Sequence, residues 1–126
     1  MKVKFDHISL SAKNPEKMKD FLVSLLGLSV GNREGLPFDG YFLYLGKDDV
    51  IHIFGKQFNS IKHNQNSSEN PIVDHVSFFS DNSIELMNRI NQLGAPYKII
   101  SNASLGFKQY FVQAPEGLVI EVKVEH

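Results

Sequence analysis

Phe5-Asp6-His7-Ile8-Ser9-Leu10 returns later in the chain as Val73-Asp74-His75-Val76-Ser77-Phe78. The two segments share Asp-His, then an apolar residue, a serine and another apolar residue, at an offset of 68 (75 − 7). At the same offset Asn14 meets Asn82 and Lys17 meets Glu85. At an offset of 69 (110 − 41), Tyr41-Phe42-Leu43 meets Tyr110-Phe111-Val112, and Val50-Ile51-His52-Ile53 meets Val119-Ile120-Glu121-Val122. A one-residue insertion accounts for the drift. A match carried through both halves is one supersecondary unit used twice.

Each unit reads as strand, helix and three strands. Residues 3–10 alternate and are rich in β formers, as a strand requires. Asn14 followed by Pro15 supplies a cap and a proline suited to a first helical turn. Met18, Phe21, Leu22, Leu25 and Leu26 follow at helical spacing, and Gly27 stands where the helix would stop. Strands are predicted over 28–33, 41–46 and 49–55, the last two joined through Gly46-Lys47-Asp48-Asp49. The second unit predicts a strand over 73–80. Asn82 and Glu85 then form a capping box, with Leu86, Ile90 and Leu93 as the apolar stripe and Gly94 as the stop. Strands follow over 96–101, 107–113 and 118–125, with Ala114-Pro115-Glu116-Gly117 as the final turn. The expected architecture is α+β: two βαβββ modules forming a curled mixed sheet around a central cleft, with the helices outside. Module one covers 1–55 and module two 72–126. Residues 56–71 are rich in Asn, Gln, Ser and Lys without a sustained period, and read as a surface linker.

Composition narrows the function. The 126 residues carry 13 basic and 14 acidic side chains, a net charge of −1. A nucleic-acid binder would need a basic face, so no nucleic acid is expected. There is no cysteine, which excludes disulfides, thiolate metal sites and a cysteine nucleophile. No apolar run approaches the roughly 20 residues needed to cross a bilayer, so no membrane is expected. Residues 1–7 alternate like a strand and lack the apolar centre of a signal peptide. The expected location is cytoplasmic.

Chemistry concentrates at four matched positions. His7 and His75 occupy equivalent places in the first strand of each unit, and His52 and Glu121 in the last. Three imidazoles and one carboxylate are the donor types that suit zinc, iron, nickel or manganese. A carboxylate at Glu121, amid Val119, Ile120 and Val122, is costly to bury without a cation or hydrogen-bond donors. His63, in the linker, and His126, at the chain end, are expected in solvent.

The paired units, the Asp-His near the start of each, and Pro115-Glu116-Gly117-Leu118-Val119-Ile120-Glu121 at the end resemble the vicinal oxygen chelate superfamily. That superfamily contains glyoxalase I, fosfomycin-resistance proteins, methylmalonyl-CoA epimerase, extradiol dioxygenases and bleomycin-binding proteins. The resemblance implies a cleft whose divalent metal is held by His7, His52, His75 and Glu121, and it implies homodimers. Departures sort the members. Bleomycin binders lack the four ligands. Glyoxalase I carries a carboxylate or Gln where His52 stands and uses arginines that Arg33 and Arg89 are poorly placed to match. Fosfomycin transferases have Tyr where Phe111 stands. Ring-cleaving dioxygenases use two His and one Glu on iron.

Residues two apart on a strand share a face. Ser9, Phe42, Tyr44, Phe54, Ser77, Phe111, Gln113 and Lys123 are therefore expected to line a largely aromatic pocket for a small substrate. Gly35–Gly40 and Ser104–Phe107 would form its lips. The expected function is a metal-dependent isomerase, epimerase or lyase of glyoxalase-like type, acting on a substrate with vicinal oxygens. Glu121 would also serve as the group that moves a proton. The alternatives are an iron-dependent ring-cleaving dioxygenase and a non-catalytic binding protein of the bleomycin-resistance type.

Overall fold

Asn14 starts the first helix as its position predicts. Its Oδ1 accepts the Lys17 N–H at 3.0 Å, which gives one of the unpaired first-turn donors a partner. In a computed structural model, described over residues 1–2, 5, 7–31, 40–55, 75–102, 104 and 106–125, this helix belongs to the first of two compact units. That unit runs β1 (Ile8–Ala12), α1 (Pro15–Leu26), β2 (Ser29–Gly31), β3 (Gly40–Leu45) and β4 (Asp48–Gly55). The second runs β5 (Val76–Ser80), α2 (Ser83–Leu93), β6 (Tyr97–Asn102), β7 (Phe107–Gln113) and β8 (Val119–Glu125), with a short 3₁₀ turn, Pro115–Gly117, before β8. The α+β class and the two βαβββ modules are thus as expected.

Each unit forms its own four-stranded mixed sheet, in the orders β1-β4-β3-β2 and β5-β8-β7-β6. First and last strands pair parallel, β1 with β4 and β5 with β8, and the other pairs are antiparallel. A parallel pair needs a long crossover, which α1 or α2 and two further strands provide. In the first unit α1 packs on the sheet, with Lys19 Nζ 5.0 Å from the centre of the Tyr41 ring. Met18, Leu22 and Leu25 are buried there, together with Leu43, Ile51 and Ile53 of the strands. Each of the large aliphatic side chains contributes roughly 1.5–3 kcal/mol by leaving water. In the second unit Leu86 and Ile90 of α2 are buried, as are Tyr110, Val112, Ile120, Val122 and Val124.

Several boundaries differ from the sequence reading. His7 and His75 precede β1 and β5 rather than lying inside them. β1 runs on to Ala12, and its parallel ladder begins at Ile8 opposite Ile51. One step earlier His7 would face Val50, which has no partner across β3 and β4. The register there jumps from Leu43–Ile51 to Tyr44–Asp49, leaving Val50 as an extra residue, a β-bulge. Likewise the parallel ladder of β5 with β8 begins at Val76 opposite Ile120 and runs to Ser80 opposite Val124. The hairpin turn is Gly46 and Lys47 alone. Gly46 has φ +65°, and Asp48 and Asp49 already belong to β4.

The capping box at Asn82 forms only by half. Asn82 Oδ1 accepts the Glu85 N–H at 3.0 Å. The Glu85 carboxylate instead takes Arg89 Nη2 at 2.7 Å, and the Asn82 N–H goes to Ser80 Oγ at 3.2 Å. A full charge one helical turn away outcompetes a neutral amide for the same carboxylate. The linker with His63, most of the lip at 35–39, Arg33 and His126 lie outside the described residues.

Candidate functional site

In the first unit the register places His52 between Ser9 of β1 and Phe42 of β3, on the face opposite Leu43, Ile51 and Ile53. The His52 ring is stacked on both sides. His7 lies at 3.8 Å between centroids with the planes 15° apart, and Phe42 at 3.9 Å and 13°. Phe54 meets His52 edge-on at 6.2 Å. His52 Nε2 lies 2.7 Å from Asp49 Oδ2. That hydrogen bond is the first cause holding the Asp49 carboxyl below its ordinary value, helped by a backbone hydrogen bond and the charges of His52 and His7 against partial desolvation. Tyr44, predicted to line the pocket, folds instead over β2, its ring occupying the space where Gly31 would carry a Cβ.

In the second unit Glu121 sits between Ser77 of β5 and Phe111 of β7 and is 3 % exposed. Burial pushes its carboxyl up. Hydrogen bonds from Ser77 and Gln109, with the charges of His75 and Lys123, outweigh that and hold it below its ordinary value. Gln109 Nε2 donates to Oε2 at 2.8 Å. His75 Nε2 lies 3.8 Å from Oε1, and its ring stands edge-on to Phe111 at 5.7 Å between centroids. Lys123, predicted to line the pocket, lies over the Phe107 ring with Nζ 4.9 Å from the centroid. Gln113 shares a face with Phe111 by alternation and is exposed.

Of the four residues predicted as ligands, His7 stands beside His52 and His75 beside Glu121, each contact inside one unit. Two contributors were missed. Gln109 was legible, since it stands two residues before Phe111 on the same strand. Asp49 was hidden, because a spacing of three puts two residues on opposite faces of a regular strand; the bulge at Val50 brings Asp49 round to the face of His52.

The donors of the second unit suit a dication. An ionised, buried carboxylate and an imidazole 3.8 Å apart span a distance that bonds of about 2.1 Å can bridge. In the first unit His52 Nε2 is engaged by Asp49, which leaves Nδ1 as its donor atom. Imidazole lone pairs lie in the ring plane, so two rings stacked at 15° aim them side by side. Convergence on one ion would need the His7 ring to turn. Among the described residues, no group of three or more His, Asp or Glu side chains stands in an arrangement that could hold a metal ion.

No family model matches the chain, and no curated protein matches it in sequence. Solved structures do match. FosX, the genomically encoded fosfomycin resistance protein of Listeria monocytogenes, is 17 % identical, covers 100 % of this chain and 96 % of its own, and superposes with a TM-score of 0.72. Lactoylglutathione lyase from Agrobacterium tumefaciens is 18 % identical over 96 % of this chain and 92 % of its own, with a TM-score of 0.68. A glyoxylase/bleomycin resistance protein/dioxygenase domain from Frankia sp. EAN1pec is 13 % identical over the full length of both chains, with a TM-score of 0.73. These likenesses establish the fold: the chain shares the repeated βαβββ fold of these structures. Fold alone does not carry an activity across such low identity.

Proposed function

We propose that the protein is a metal-dependent enzyme of glyoxalase-like type, an isomerase, epimerase or lyase acting on a small substrate with vicinal oxygens. The proposed ligands are His7 and His52 in the first unit and His75 and Glu121 in the second. The observation that carries this proposal is Glu121: a carboxylate 3 % exposed, kept anionic by two hydrogen bonds and facing an imidazole. Burial of a charge costs several kcal/mol unless it is paired, and a dication is the partner that the flanking imidazole also suits. A bound divalent ion would supply Lewis acidity to two substrate oxygens. Glu121 Oε2 is held by Gln109, so Oε1, facing His75, is the atom that would accept a proton. While Ser77 and Gln109 both donate to it, Glu121 is a weak base and a good ligand. Release from one of them is what would raise its basicity towards the range useful for proton transfer. Phe42, Phe54 and Phe111 would supply apolar contact for the carbon skeleton of the substrate.

We also propose that the protein is a cytoplasmic homodimer with a small-molecule partner. The absence of cysteine and the near-neutral charge fit that setting, and no helix among the described residues is long and apolar enough to cross a membrane.

One observation favours a second reading, a binding protein without catalysis. The rings of His7, His52 and Phe42 are stacked face to face, an arrangement that suits apolar contact better than joint coordination of an ion. Metal titration separates the two. Glu121→Ala should lower affinity for zinc, nickel or manganese at least tenfold, about 1.4 kcal/mol. Added metal should raise the melting temperature of the parent and hardly that of the variant, since a ligand bound only to the native state stabilises it by mass action. Equal binding by both, or by neither, would move the protein to the binding class. Oxygen consumption with iron would move it to the dioxygenases.

A further inference from the structure

Asp49 is not one of the four matched positions, and its counterpart at the offset of 69 is Leu118. It reaches His52 only because Val50 is an extra residue in β4. The His52 side chain is 12 % exposed and that of Asp49 41 %. Stacking between His7 and Phe42 fixes the plane of the His52 ring. A stack does not choose the orientation of a ring within its plane, and it does not choose which nitrogen carries the proton. The contact of Nε2 with Asp49 Oδ2 at 2.7 Å chooses both. An ionised carboxylate can only accept a hydrogen bond, so Nε2 must carry the hydrogen. A neutral imidazole has one N–H, and its lone pair is then on Nδ1. We propose that Asp49 is a positioning residue that locks His52 as the Nε2–H tautomer, so that Nδ1 is the nitrogen His52 presents to a divalent cation.

The carboxylate does a second thing. By drawing on the Nε2 proton it makes Nδ1 a better electron donor, the usual effect of a carboxylate behind a ligating histidine. The second unit has no such arrangement at the matched position. Glu121 is itself the anion there, and its neighbours Ser77 and Gln109 are neutral donors. The two units thus bring different chemistry to equivalent places: a negative ligand from one, and a neutral ligand with a negative charge behind it from the other.

The inference rests on the metal reading for its cation but not for its tautomer, and the two can be tested apart. In ¹⁵N-labelled, metal-free protein at about pH 8, above the usual imidazole range, long-range ¹H–¹⁵N correlations distinguish protonated from lone-pair nitrogens. His52→Gln assigns the signals. The parent should show Nε2 protonated and Nδ1 bare. Asp49→Ala should release that preference. Asp49→Asn, close in shape and neutral, should weaken it while keeping the fold. Zinc added to the parent should shift the His52 Nδ1 signal, and Asp49→Ala should bind zinc 10- to 100-fold more weakly. A parent with Nδ1 protonated, or variants with unchanged tautomer and zinc affinity, would overturn the proposal. A parent with the expected tautomer that Asp49→Ala releases, but with no zinc bound to any variant, would uphold the role of Asp49 and overturn the metal reading alone.

Discussion

Glu121 shows how a single side chain can be buried, charged and stable at once. Desolvation disfavours its anion, but Ser77 and Gln109 donate to it and His75 and Lys123 add favourable charge, and the balance leaves the carboxyl below its ordinary value. A carboxyl whose folded value lies below the unfolded one, about 4.3 for glutamate, binds protons more readily in the unfolded chain. Its contribution to stability is fully present above the unfolded value and is lost as pH falls through the folded one. In metal-free protein, Glu121→Gln should therefore flatten the loss of stability between about pH 6 and pH 3. Urea midpoints measured across that range would show it. Parallel acid profiles for parent and variant would mean that the carboxylate contributes no differential interaction on folding. The residue itself was legible in the sequence, since an ionisable group amid valines and isoleucines declares its cost. Its donors were legible only in part: Ser77 by the pairing of equivalent strands, and Gln109 by the two-residue alternation along β7 that sets it on the face of Phe111.

Among the elements, β3 and β4 carry the departure that no periodicity reveals. Alternation assigns faces correctly for Phe42, His52 and Phe54, and for Phe111 and Glu121 in the other unit, because a regular strand leaves no other choice. It fails for Asp49, because one extra residue at Val50 shifts every assignment before it. Neither composition nor turn chemistry marks that residue; only the partner strand does. The same pair of strands explains Tyr44. It stands opposite Ser29 of β2, and its ring lies where a Cβ on Gly31 would be. An aromatic ring over a glycine on an edge strand covers backbone that would otherwise be open to water. Gly31→Ala should force the ring away and destabilise the chain by roughly 1–3 kcal/mol. Tyr44→Ser should remove most of that penalty in the double variant, a coupling that a double-mutant cycle reads directly from denaturation midpoints. If the two substitutions add without coupling, the ring is not what Gly31 accommodates.

For the molecule as a whole, the repeat visible in the sequence predicted two modules, and two modules of that design are present, each with its own sheet and helix. Each sheet ends in a short or exposed edge. β2 has three residues, and Tyr97, Ile99 and Ile100 of β6 are exposed. Apolar edges of this kind are normally covered, and a second copy is the economical cover for a symmetric assembly. Light scattering at micromolar concentration should give a mass about twice 14.2 kDa. A mass of one chain would count against the dimer. The strand order has a further consequence, which concerns how the chain is made. In each unit the first strand pairs with the last, so β1 must wait, unpartnered on that edge, until β4 exists. During synthesis, α1 and the β2–β3 hairpin emerge with no complete sheet to join. The first unit acquires every strand of its sheet when residue 55 has left the ribosome, before any strand of the second has emerged. A nascent chain paused beyond that point should already resist protease over its first half, whereas one paused between β3 and β4 should not. The order of translation would thereby spare two similar halves from exchanging strands with each other.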